Sequence, residues 1–107
     1  MTDTSFSPEA ISDLQQTKSY ITDELCNEQV AVDAIAKIMS RVRELVVFPK
    51  MGTPLSSIVA FETDYRFLVY GNYTVFYRFE NQTVYIIRVL YGRHNFMRIL
   101  FGELNEN

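Results

Sequence analysis

The chain has one cysteine, one histidine, no tryptophan and four glycines in 107 residues. Cys26 alone cannot close an internal disulfide, and no Cys or His cluster surrounds it to suggest metal ligation. A reducing, cytoplasmic compartment suits such a chain. The opening residues, Met1-Thr2-Asp3-Thr4-Ser5, have no basic region and no apolar run behind them, so no secretory signal is read there. No stretch reaches the roughly 18 apolar residues of a membrane span, and no membrane partner is expected. There is also no internal repeat, low-complexity tract or Gly-rich phosphate loop. Most enzyme classes with motifs visible in sequence are thereby unsupported, and no cofactor and no metal are expected.

What is present describes one folding unit. Hydrophobic residues make up 48% and charged residues 21%, well away from the composition of a disordered chain. A chain of this length has room for a single domain, 1–107, that buries roughly 60–70% of its extended surface. Seven tyrosines and eight phenylalanines gather mostly in the second half, where strands are to be sought. The net charge of −3 argues mildly against a general nucleic-acid binder, yet it hides an asymmetry. Residues 1–40 set two bases against seven acids, whereas 65–98 set five arginines against Glu80 alone. Any one of these arginines can be the solvated end of a strand. Five in one segment, with no lysine among them, point to planar, bidentate contact with phosphate or carboxylate.

Periodicity places the elements. Thr4-Ser5-Phe6-Ser7 reads as a short strand, since a residue before proline favours extended backbone. Ser7 as N-cap and Pro8 in the first turn open a helix over 8–25, with Ile11, Leu14, Ile21 and Leu25 as its apolar face. Cys26-Asn27 breaks the chain and Asn27 caps a second helix over 28–47, in which Ala31, Ala34, Ile35, Ile38, Val42, Leu45 and Val46 keep helical spacing. Pro49 stops it, and so short a link predicts an antiparallel helix hairpin. Strands follow at 65–70, 73–80 and 83–91, joined by turns at Gly71-Asn72 and Asn81-Gln82 into an antiparallel meander. Phe96, Ile99, Leu100 and Phe101 fit a short helix or a returning strand equally. Helices first and strands after is the α+β pattern, with the hairpin laid on one face of the sheet.

Four stretches carry a resemblance. They are Pro8-Glu9-Ala10 with Asp13-Leu14 and Tyr20-Ile21; Phe48-Pro49-Lys50-Met51-Gly52; Tyr65-Arg66-Phe67-Leu68-Val69; and Val75-Phe76-Tyr77-Arg78 through Ile86-Ile87-Arg88-Val89-Leu90-Tyr91-Gly92-Arg93. In this order they resemble the toxins of the RelE/ParE family, the poison half of bacterial type II toxin–antitoxin pairs. The resemblance implies an N-terminal helix hairpin packed on an antiparallel sheet. It also implies inhibition of growth and neutralisation by a cognate antitoxin. Sheet edge and helix hairpin are surfaces suited to that partner, by strand addition and by helix-in-groove packing.

Within the family two activities are weighed, because fold does not fix function. The RelE-like branch cuts mRNA on the ribosome and needs a base, an acid and cations on the phosphate. The ParE-like branch poisons DNA gyrase and needs no catalytic residue of its own. RelE-like nucleases resemble one another in an arginine just after the first tyrosine of the middle strand. Here that place, after Tyr73, is Thr74. The Phe76-Tyr77-Arg78 and Arg88-Val89-Leu90 stretches look closer to ParE-like chains. Arg66, Arg78, Arg88 and Arg93 are the expected target-binding residues. A nuclease would instead use Arg88, Tyr91, Arg93 and His94, His94 being the one side chain suited to proton transfer near neutral pH. A lone histidine in a polar turn is also ordinary surface, and an aromatic at a strand end is also ordinary packing. Arg88, between Ile87 and Val89, is either half-buried with a partner or on a functional face, and is read as the latter. Strict alternation would put it on the side of Ile86 and Leu90. A third reading is an interaction module that keeps the fold without toxicity.

Overall fold

The computed structural model describes residues 2–92 and 95–102. In chain order the elements are β1 (Asp3–Phe6), α1 (Pro8–Leu25), α2 (Glu28–Val47), β2 (Thr53–Pro54), a 3₁₀ turn (Leu55–Ser57), β3 (Arg66–Tyr70), β4 (Tyr73–Glu80), β5 (Thr83–Tyr91) and α3 (Phe96–Phe101). The five strands form one sheet in the order β1-β5-β4-β3-β2. The three long strands make the expected antiparallel meander, closed by two-residue turns with Tyr70 opposite Tyr73 and Glu80 opposite Thr83. β1 joins the far edge parallel to β5, so the sheet is mixed. The two-residue β2, which no pattern announces, pairs antiparallel with β3.

Local chemistry sets the helix ends. The Ser7 Oγ accepts from the Ala10 amide at 2.9 Å and donates to the Ile87 carbonyl at 2.7 Å, so one hydroxyl caps α1 and fastens its start to β5. Cys26 ends α1 in the left-handed region, and Asn27 Oδ1 accepts from the amides of Gln29 and Val30 to begin α2. The buried face of α1 is rotated from the expected stripe. It runs through Ala10, Asp13 and Ile21, while Ile11 and Leu25 are exposed. Small Ala10 lets the helix approach closely, and the polar member of that face turns out to matter most.

The sheet is covered on both sides. On one, Ala10 of α1 and Ile38, Val42 and Leu45 of α2 pack with Val75, Tyr77, Val84 and Ile86. On the other, Leu55, Phe67, Phe76 and Leu90 lie beneath Phe96, Leu100 and Phe101, which settles the C-terminal cluster as a short helix. Phe96 stacks on Phe76 with centroids 5.6 Å apart and planes 13° from parallel. β4 is therefore central and Thr74, Val75, Phe76 and Tyr77 are buried in succession, as in a strand with two dry faces.

The turn after α2 is held from the sheet. The buried Tyr77 hydroxyl donates to the Pro49 carbonyl at 2.8 Å and accepts from the Gly52 amide at 2.9 Å. Arg66 Nη1 donates to the carbonyls of Lys50 and Gly52. A Cβ on Gly52 would meet the Tyr77 hydroxyl at 2.5 Å and the Phe67 carbonyl oxygen at 2.8 Å, so glycine is required by close approach.

Candidate functional site: the cleft at the open edge of β5

β1 follows β5 only as far as Phe6 opposite Ile86, after which the chain turns away into α1. From there on β5 has no neighbouring strand on that side among the described residues, and a buried backbone amide must find another acceptor. Asp13 provides it. Its Oδ2 accepts from the Val89 amide at 3.0 Å and from Arg88 Nε at 2.8 Å, while Oδ1 accepts from Arg88 Nη2 at 2.7 Å. The carboxylate is 7% exposed and spans 75 residues of sequence to reach the guanidinium.

Of the two readings of Arg88, the structure shows the half-buried cation with a partner. The alternation argument fails at a β-bulge. Phe76 lies opposite Arg88 and Tyr77 opposite Ile86, which leaves Ile87 as the extra residue of β5. The bulge flips the parity, so Ile86 belongs to the helix-side core and Leu90 to the opposite one. Asp13 hydrogen bonding, against some desolvation, makes the guanidinium hold its proton more firmly than an ordinary arginine.

Beside this pair α1 and the ends of β4 and β5 enclose a cleft of ≈ 450 Å³, lined by Gln16, Thr17, Tyr20, Tyr73 and Tyr91 together with Arg88. Tyr73 and Tyr91 face each other across the two strands, edge to face, with centroids 5.5 Å apart. Burial, then the neighbouring Tyr91 and Tyr20 hydroxyls, push the Tyr73 phenol above its ordinary value, so it holds its proton at physiological pH.

Arg66 and Arg78 lie away from the cleft. Arg66 is committed to the turn after α2. Arg78 pairs with Asp64 at 2.7 Å and Glu80 at 3.0 Å on the surface, an arrangement that contributes little to stability. Tyr91 does reach the cleft and is 64% exposed. Arg93 and His94 lie outside the described residues. Among the described residues no three His, Cys, Asp or Glu side chains gather to hold a metal ion, and no helix is long and apolar enough to cross a membrane. Sequence reasoning missed Asp13, Tyr20 and Tyr73. The available signal for Asp13 was an acid in register with Ala10 and Ile21 on the buried face of α1, matched by an arginine inside an apolar strand.

A helix hairpin packed on an antiparallel meander is the architecture that the resemblance to the toxins above implies. The family model described as "ParE toxin of type II toxin-antitoxin system, parDE" matches residues 5–96, and the chain belongs to that family. It is the toxin component of a type II toxin–antitoxin module, and its family partner is a cognate antitoxin. Among solved structures it is similar to a chain of the chromosomal ParDE toxin–antitoxin system from P. aeruginosa, with a TM-score of 0.70 and 21% identity over 86% of this chain and 97% of that one. At that identity the likeness concerns the fold. No curated protein matches the chain.

Proposed function

We propose that the chain inhibits growth as a ParE-like poison of DNA gyrase, acting by surface contact and not by cutting RNA. The observation that carries this reading is the position of Thr74. It stands where a nuclease of the wider family would place a phosphate-binding arginine, is uncharged, and is 2% exposed in the central strand. Such a residue cannot stabilise developing charge on a substrate phosphate. Arg66 and Arg78, two of the arginines expected at the target, are engaged within the fold. Purified protein added to translating ribosomes is expected to leave mRNA intact. Cleavage at fixed positions in the ribosomal A site, lost on His94→Ala or Arg93→Ala, would establish the nuclease reading instead. Expression of the chain without antitoxin is expected to arrest growth, whereas normal growth would identify a non-toxic interaction module.

A further inference from the structure

The cleft beside Asp13 holds a cation that is only half used. A guanidinium carries five N–H donors, of which Asp13 takes one on Nε and one on Nη2. Among the described residues none is seen to take the other edge, and the side chain keeps 24% exposure while lining the cleft. Asp13 fixes the plane of this group from behind, and the Val89 amide fixes Asp13 in turn. An arginine whose orientation is set before binding loses less on engaging a second planar acceptor. Facing it are the rings of Tyr20, Tyr73 and Tyr91, large and rigid contact surface with polar tips.

We propose that this cleft receives an acidic side chain of the antitoxin, with its carboxylate on the open edge of Arg88 and the adjoining apolar part of the segment laid on Tyr20, Tyr73 and Tyr91. The assignment rests on the family reading, which supplies an antitoxin as partner. A carboxylate is favoured by the fork geometry of the open edge. A peptide is favoured over a nucleic acid by the chain's net charge of −3 and by Asp13 and Glu9 beside the guanidinium, which repel a polyanion.

The test leaves Asp13 and Arg88 untouched, because altering either can unfold the chain. Thr17 lines the cleft and is half-buried, so a charge placed there acts on an occupant without breaking the ion pair. The first probe is 3-phenylpropionate, compared with 3-phenylpropionamide and phenyl phosphate, titrated into the full chain and followed by the NMR signals of the Arg88 side chain and the three tyrosine rings. The carboxylate is expected to shift these signals and to bind at least roughly tenfold more tightly than the amide, as loss of a charge-assisted contact predicts. Thr17→Glu is expected to weaken it roughly tenfold or more, and Thr17→Lys is not. Equal binding of acid and amide, equal loss in both Thr17 variants, a preference for the phosphate, or shifts elsewhere on the chain would each overturn the proposal. The second arm uses the antitoxin that relieves growth arrest by this chain, titrated into the purified protein: Thr17→Glu is expected to weaken its binding roughly tenfold or more, and Thr17→Lys is not. Absence of arrest by the unmodified chain would contradict the toxin reading, while the titration judges the cleft independently.

Discussion

Asp13 does three things with two oxygens: it closes the amide left open at Val89, holds Arg88, and ties α1 to β5. Arg88 therefore carries a structural role as well as facing the cleft. Removing it strands a carboxylate that is 7% exposed with one backbone donor. We expect Arg88→Ala to lower stability by about 3 kcal/mol, the lower end for breaking a buried pair because the guanidinium is partly wet. A urea midpoint unchanged from the wild type would show that the pair contributes nothing. Tyr77 is the second residue whose polar atoms are fully used. Tyr77→Phe leaves the Gly52 amide and the Pro49 carbonyl without their partner, at an expected cost of about 1–3 kcal/mol. Burial, opposed by the Gly52 hydrogen bond and by Arg66, raises the Tyr77 phenol above its ordinary 10.0. The folded state then binds the proton more tightly than the unfolded one, so this contribution is complete below pH 10 and is lost as pH rises through the folded value. Chemical denaturation across that range should show a smaller alkaline loss for Tyr77→Phe than for the wild type.

At the scale of elements, the turns show where local chemistry suffices and where tertiary structure imposes itself. Asn81 and Gln82 both have positive φ, 53° and 65°, the backbone of a type I′ turn. Asparagine adopts this region readily, glutamine only at a steric cost. Gln82→Gly is expected to stabilise the hairpin by roughly 0.5–1 kcal/mol, and a lowered urea midpoint would contradict the turn assignment. Gly52→Ala should act in the opposite sense by about 1–3 kcal/mol, because the turn and Tyr77 cannot both keep their places. The helix hairpin and the meander were legible in the sequence because their signals are local: Ser7, Asn27 and Pro49 mark helix ends, and Gly71-Asn72 and Asn81-Gln82 mark turns. β2 and the parallel pairing of β1 were not legible, since both are fixed by distant partners. The bulge at Ile87 is likewise a product of pairing, and it is the reason alternation misplaced Arg88.

Across the whole molecule, the sheet separates two apolar cores and leaves a cleft where β1 ends and α1 crosses β5. Three arginines of the second half lie in three different environments. Arg66 braces a turn, Arg78 forms an exposed ion pair, and Arg88 sits between core and cleft. The charge imbalance along the sequence could be read, but its partition could not, because Asp13 and Asp64 lie far from the arginines they bind. Family membership and fold follow from the pattern of elements, and the target depends on which side chains reach the surface. The most direct measurement is therefore made on the target. The purified chain is added to DNA gyrase with ATP and relaxed plasmid, in parallel with reactions that also contain the neutralising antitoxin. Inhibited supercoiling, with accumulation of gyrase-cleaved plasmid that the antitoxin prevents, is the predicted result. Unimpaired supercoiling at concentrations of the chain that halt translation would contradict it.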